Sequence, residues 1–71
     1  MSTPPVMPIL WSQKTVAELV DLNPLHLMRM GKEGRFPKYI KFGDKKNSSV
    51  RYIAAEVEAW IAERIAQRDA A

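Results

Sequence analysis

The chain has 71 residues and a net charge of +3, enough for one small domain with a modest hydrophobic core. It has no cysteine and no apolar run near the roughly 18 residues of a transmembrane helix, which excludes disulfides, cysteine-ligated metals and a membrane span. The N-terminus lacks the basic and apolar regions of a signal peptide, so we expect a soluble, cytoplasmic protein.

The predicted elements begin after residues 1–8, a proline-containing segment that we expect to be a flexible N-terminal tail. The apolar run Ile9-Leu10-Trp11 predicts either an irregular strand or a cover over the core. Ser12 is a favourable N-cap for a first helix that runs to about Val20. The apolar side of this helix is expected to consist of Val16, Leu19 and Val20.

A second helix is predicted to begin at Asn23, whose side-chain oxygen can accept from free amides of the first turn. Pro24 suits the first helical position, and Gly34 ends the helix because glycine adopts the left-handed conformation cheaply. Leu27 and Met30 fall on its apolar side. Another side carries His26, Arg29 and Lys32, which recur every three residues. Two helices joined by about three residues indicate a helix-turn-helix.

A β-hairpin is predicted next, because Pro37 prevents the helix from continuing and two stretches then alternate with period two. These stretches are residues 39–42 and 49–53, separated by a polar, turn-like segment. The inward-facing residues are expected to be Ile40, Phe42, Val50 and Tyr52. Lys41 and Arg51 are expected to point away from the core.

The longest predicted helix runs from Ala54 to about Gln67. Its apolar stripe consists of Val57, Trp60, Ile61 and Ile65. The pattern as a whole predicts a mainly α fold with a small β-hairpin, as one domain over residues 9–68 with a short tail at residues 69–71.

The chain has few residues that could form a catalytic or metal-binding site. His26 is the only histidine, and Glu56 and Glu58 are two positions apart on a predicted helix, so they point to different sides. We therefore expect no enzymatic activity, no metal site, no cofactor and no small-molecule substrate.

Positive charge is concentrated between Arg29 and Arg51, a basic block with eight basic residues and two acidic ones. Its basic members are Arg29, Lys32, Arg35, Lys38, Lys41, Lys45, Lys46 and Arg51. A segregated basic block in a small domain is typical of proteins that bind a polyanion, although a solvated face without a partner has the same composition.

Several segments in order resemble the AlpA family of small prophage-encoded transcriptional regulators, which are related to excisionase-type proteins with MerR-like DNA-binding domains. The segments are Val16-Ala17-Glu18-Leu19-Val20, Lys32 to Lys38, Val50-Arg51-Tyr52 and Glu56 to Ile61. The resemblance implies a winged helix-turn-helix with three helices and a two-stranded wing. Its recognition helix is residues 23–33 and its wing is residues 39–53.

The resemblance further implies a DNA-binding regulator, or a recombination directionality factor that assists prophage excision. In that interpretation the recognition helix enters the major groove and reads bases with Leu25, His26, Met28 and Arg29. Phosphates would be contacted by Lys32, Arg35, Lys38, Lys41, Lys45, Lys46 and Arg51.

The expected partner is double-stranded DNA, bound by a homodimer or a cooperative oligomer because one small monomer buries limited surface. The alternative is a phage-encoded protein-interaction module whose basic face binds an acidic protein. RNA binding is a third hypothesis, but neither strand shows the paired exposed aromatic residues of an RNA stacking platform.

Overall fold

The computed structural model describes residues 9–45 and 49–70, and this part of the chain forms three helices and one three-stranded antiparallel sheet. The elements in chain order are β1 (Leu10–Ser12), α1 (Gln13–Val20), α2 (Pro24–Lys32), β2 (Ile40–Lys41), β3 (Val50–Ile53) and α3 (Ala54–Ala70). The mainly helical fold predicted from the sequence is confirmed. The expected tail at residues 1–8 lies outside the described residues.

The sheet has one strand more than the predicted two-stranded hairpin. Its order is β1-β3-β2, so the central strand is β3. β1 pairs antiparallel with β3, with Leu10 opposite Ile53 and Trp11 opposite Tyr52. The apolar run at residues 9–11, which predicts either a strand or a cover over the core, is thus an edge strand over most of its length. This pairing ties the start of the chain's described part to the hairpin.

The inward and outward faces of β2 differ from the prediction. Residues directly opposite each other in neighbouring strands share a face, and Ile40 is opposite Arg51 while Lys41 is opposite Val50. Lys41 therefore lies on the same face as Val50 and Tyr52, and Ile40 lies on the same face as Arg51. The prediction that Lys41 and Arg51 point away together is wrong.

The core contact of Tyr39 decides which residues of β2 face the core. Tyr39 packs against the core, with its ring centroid 6.3 Å from that of Tyr52. Because side chains alternate along a strand, Ile40 and Phe42 then point to the opposite face. Phe42 is 54% exposed, so its predicted place in the core is wrong.

Both helices of the predicted helix-turn-helix begin at the expected side-chain caps. The Ser12 hydroxyl accepts a hydrogen bond from the Thr15 amide at 3.1 Å, and Asn23 Oδ1 accepts from the Leu25 amide at 2.8 Å. Between them Asp21 adopts the left-handed conformation, with φ of 54°, which ends α1 and turns the chain. A connection of three residues, 21–23, therefore separates the two helices.

The end of α2 is a Schellman motif at the predicted glycine. Gly34 has φ of 75°, and its amide donates to the Gly31 carbonyl at 3.2 Å. The Arg35 amide donates to the Met30 carbonyl at 2.8 Å, which completes the motif. Both ends of α2 are therefore fixed by hydrogen bonds formed within a few residues of sequence.

The core lies between the helices and one face of the sheet. Its buried residues are Val16, Ala17, Leu27, Met30, Phe36, Tyr52 and Val57. The Phe36 ring meets Tyr52 and Trp60 edge-on, at centroid distances of 5.6 and 4.8 Å. Leu27 and Met30 are therefore on the buried side of α2, as the sequence predicts.

Two residues assigned to apolar stripes are not covered. Leu19 is 54% exposed and Ile65 is 46% exposed, so their predicted burial is wrong. The helical spacing is correct, but every residue from 62 to 70 is exposed, and Leu19, Val20 and Ile65 line a groove between α1 and α3 that is open to solvent. α3 includes Asp69 and Ala70, for which the sequence predicts a C-terminal tail, while Ala71 lies outside the described residues.

Candidate nucleic-acid interface

α2 presents one side to the core and the other to solvent. Leu27, Met30 and Gly31 are buried, whereas Leu25 is 75% exposed and Arg29 is exposed. His26 and Met28 are half-buried beside them. The four residues predicted to read bases therefore lie on one helix whose ends are fixed, and the two most exposed of them are Leu25 and Arg29.

Gly31 allows the chain after α2 to pass close to the helix. A Cβ at this position would lie 3.6 Å from the Pro37 carbonyl oxygen and 3.9 Å from the Lys38 Cα. This approach brings Lys38 next to Lys32, because both line a shallow cleft together with Gly31 and Tyr39. Two lysines that are six positions apart in sequence thus form one local concentration of positive charge.

Trp60 of α3 fixes the segment that carries Arg35. Its indole Nε1 donates to the Arg35 carbonyl oxygen at 2.8 Å, and its ring packs on Phe36. The Arg64 guanidinium lies over the Trp60 ring, 4.9 Å from its centroid. This anchoring between residues 25 positions apart holds the turn after α2 in place.

The Arg35 side chain has carboxylates close to it. Its guanidinium is 3.3 Å from a carboxylate oxygen of Glu33, in an exposed ion pair. The cleft that it lines also includes Glu56, Glu63 and Arg64 of α3. Exposed ion pairs contribute little to stability, but they lower the net positive potential around Arg35.

The remaining basic residues lie on strands β2 and β3 and on residues 42–45 and 49 of their connection, together called the hairpin. Lys41 and Lys45 are exposed, whereas Arg51 is half-buried. The Arg51 guanidinium lies 6.0 Å from the centroid of the Phe42 ring, and its Nη1 donates to the Val50 carbonyl oxygen at 2.9 Å. Lys46 lies outside the described residues.

Phe42 is a residue of this surface that the sequence interpretation missed. The period-two alternation predicts Phe42 in the core, but its exposed ring lies beside Arg51 at the end of β2. Its neighbour Gly43, with φ of 146°, marks the point where the strand stops, and that glycine is the signal in the sequence. An aromatic ring and an arginine therefore share the sheet face opposite the core.

Other kinds of site find no support in the described part of the chain. Residues 9–45 and 49–70 contain no group of three or more potential metal ligands. Within the same ranges no helix is long and apolar enough to cross a membrane. The Tyr52 hydroxyl is buried without a hydrogen-bond partner there, and burial, followed by the neighbouring Tyr39, raises the Tyr52 pKa above its usual value.

The fold is compatible with a winged helix-turn-helix protein. It has two short helices with a three-residue connection, of which the second is capped and has a basic exposed side, and a small antiparallel sheet. The family model of the prophage CP4-57 regulatory protein AlpA matches residues 13–65. The chain therefore belongs to the AlpA family of prophage regulatory proteins, a regulatory rather than enzymatic family, as the sequence resemblance predicts. No curated protein and no solved structure matched the chain.

Proposed function

We propose that this protein binds double-stranded DNA sequence-specifically and regulates prophage transcription or excision. The observation that carries the proposal is the structure of α2. Both of its ends are capped, its apolar side is buried, and its outer side carries Leu25, Arg29 and Lys32. A rigid helix of this kind fits the major groove, where each base pair presents a distinct pattern of donors and acceptors.

The base-reading role falls on Leu25, His26, Met28 and Arg29. Arginine can donate two hydrogen bonds to guanine, and imidazole can donate or accept one at a base edge. Leu25 and Met28 have no polar group, so their contribution is contact with apolar base atoms such as the thymine methyl group. We therefore expect a binding site in which guanine and thymine lie close together.

Phosphate contacts are assigned to two groups of basic residues. Lys32 and Lys38 share the cleft beside α2, while Lys41, Lys45 and Arg51 belong to the hairpin, which acts as the wing. Lysine is a point charge with little geometric selectivity, which suits contacts that position the protein without reading sequence. Arg35, beside Glu33, is expected to contribute less than the two lysines of the cleft, and Lys46 extends the same basic block.

The proposal is tested with the full-length protein and two kinds of duplex. Selection from a randomised duplex pool should enrich a defined sequence, and affinity for that sequence should exceed affinity for its scrambled form. With roughly four to six phosphates neutralised, log K against log salt should have a slope of about −4 to −5. The absence of both enrichment and low-salt duplex binding would refute the proposal.

A matched pair of substitutions links the slope to named residues. Replacing Lys32 and Lys38 with alanine should flatten the slope by about two contacts. The arginine versions of the same two substitutions keep the charge and should keep the slope. An unchanged slope in the alanine variant would show that this cleft does not face the phosphates.

The second candidate function is a protein-interaction module whose basic face binds an acidic protein. The observation in its favour is that two large apolar side chains are exposed beside basic residues, Leu25 one helical turn before Arg29 and Phe42 next to Arg51. Failure of duplex binding combined with capture of an acidic partner that is lost in the Arg29→Ala variant would favour this function over DNA binding.

A further inference from the structure

Tyr39 lines the cleft beside α2 but has no role in the DNA interface described so far. The cleft is formed by Gly31, Lys32, Lys38 and Tyr39, and the two lysines are assigned to phosphates. The Tyr39 ring packs against the core, like the side chains of many residues that begin a strand. Packing explains the ring of this tyrosine, but it does not explain the hydroxyl.

The Tyr39 hydroxyl is open to solvent and available to an external acceptor. Tyr39 is half-buried, and the hydroxyl of Tyr52 is the one buried side-chain oxygen without a partner among the described residues. Within residues 9–45 and 49–70 the Tyr39 hydroxyl forms no hydrogen bond. A phenolic hydroxyl that is exposed and unpaired can donate its proton to a bound group.

The ring that carries this hydroxyl is held in place. Its centroid is 6.3 Å from that of Tyr52, which is fully buried and meets Phe36 at 5.6 Å. The backbone just before Tyr39 is also fixed, because Pro37 and Lys38 pass close to Gly31. A donor on a fixed ring loses little conformational freedom when it binds.

We propose that the Tyr39 hydroxyl donates a hydrogen bond to one phosphate of the bound duplex, the phosphate that lies between the ammonium groups of Lys32 and Lys38. The inference rests on the proposed function and adds a residue to it. Lys32 follows Arg29 by three positions, so the two side chains are neighbours on one side of α2. Tyr39 thus positions α2 at the backbone next to the base that Arg29 reads.

The charge in the cleft favours an anion. Neither Lys32 nor Lys38 forms an ion pair within the described part of the chain, and Glu33 is paired with Arg35. The C-terminal end of a helix carries about half a negative charge, which opposes an anion. Two full positive charges outweigh it, and the last carbonyl groups of α2 already accept backbone hydrogen bonds. A hydroxyl that donates to an ionised oxygen forms a stronger hydrogen bond than one that donates to a neutral oxygen.

A matched pair of substitutions tests the contact, because both remove one hydroxyl and keep the ring. Tyr39→Phe should bind the selected duplex and its scrambled form about three- to tenfold more weakly, as expected for one lost hydrogen bond. The salt slope should stay unchanged, since no charge is removed. Tyr52→Phe removes a buried hydroxyl and should bind both duplexes like the parent. Thermal melts establish that both variants are folded.

Replacing single phosphates of the selected duplex with neutral methylphosphonates locates the contact. At one backbone position the replacement should weaken the parent but weaken Tyr39→Phe at least threefold less, because the hydrogen bond to that charged phosphate is already lost. At every other position the two proteins should lose affinity equally. Lys32→Ala should lose part of its sensitivity at the same position as Tyr39→Phe, because both side chains contact one phosphate.

The outcomes separate this inference from the proposed function. Three results would overturn the Tyr39 contact and leave sequence-specific DNA binding standing. These are parent-like binding by Tyr39→Phe, an equal loss in Tyr52→Phe, and a loss in Tyr39→Phe that no single phosphate position shares. A parent protein that binds and selects no duplex would refute the proposed function, and the Tyr39 contact with it.

Discussion

α2 and the hairpin carry the same sign of charge but are built very differently. α2 has hydrogen-bonded caps at both ends and buries Leu27, Met30 and Gly31. Of the described hairpin residues only Tyr52 is buried, and Phe42 lies exposed at the end of a two-residue strand. A surface that reads bases must hold its side chains in fixed positions, whereas a surface that neutralises phosphates needs only charge in the right region.

The largest expected difference between the two regions is in stability. Leu27→Ala removes a fully buried side chain from α2 and should lower the free energy of unfolding by about 2–5 kcal/mol. Phe42→Ala removes a larger but half-exposed ring from the hairpin and should cost less than about 1 kcal/mol. Urea unfolding of both variants measures the difference. An equal loss of unfolding free energy in the two variants would show that the Phe42 ring is buried in solution.

The next difference concerns DNA binding. Arg29→Ala should cost about 1–3 kcal/mol on the selected duplex and much less on its scrambled form, because a lost base contact affects only the correct site. The double variant Lys41→Ala, Lys45→Ala should weaken binding to both duplexes by similar factors and flatten the salt slope by about two contacts. Titration of each variant with both duplexes distinguishes residues that read bases from residues that contact phosphates. If Arg29→Ala weakened binding to both duplexes equally and the double lysine variant lost discrimination, the two roles would be exchanged.

Two glycines at the end of α2 test how its fixed geometry arises. Gly34→Ala forces a side chain into a left-handed conformation and should destabilise the protein by about 1–2 kcal/mol. Gly31→Ala places a methyl group 3.6 Å from the Pro37 carbonyl oxygen, an ordinary contact distance, and improves helix propensity. It should be neutral or stabilise by up to about 1 kcal/mol. Thermal melts should show opposite or clearly unequal shifts for these chemically identical changes.

The smallest expected effect is at Tyr52, the buried residue of the hairpin. Because burial raises its pKa in the folded state, the unfolded chain loses this proton first as pH rises above about 10, and stability falls there. Tyr52→Phe removes the buried hydroxyl, so it should reduce this alkaline loss and change stability at neutral pH by no more than about 1 kcal/mol. Urea unfolding across alkaline pH measures both effects. A larger neutral-pH loss would reveal a hydrogen-bond partner for the hydroxyl.

The candidate site was predictable to different extents in the two regions. The period of α2 and its caps place Arg29 and Lys32 opposite Leu27, so the exposed side of the helix follows from the sequence. In the hairpin, period-two alternation alone does not define which face is buried, and the predicted phase of β2 was wrong. A shift of one residue exchanges the two faces of a strand, so one distant contact decides the whole pattern.

The sequence by itself determined the features that depend on neighbouring residues. Ser12, Asn23 and Gly34 set the helix ends because each acts on backbone groups within five positions along the chain. The basic block and the family resemblance were likewise visible in the linear order of residues. Each of these features is local, so no knowledge of the rest of the fold is needed to predict it.

Only the tertiary structure decided which apolar residues are covered and which strands pair. β1 pairs with β3 across about 40 residues of sequence, and the Trp60 indole donates a hydrogen bond to the Arg35 carbonyl oxygen across 25 residues. Leu19 and Ile65 follow the helical period but remain exposed, because no other element in the described part of the chain covers the groove that they line. Periodicity gives the direction of a side chain, but burial also requires a second surface at that place, and the position of that surface is set by contacts between distant parts of the chain.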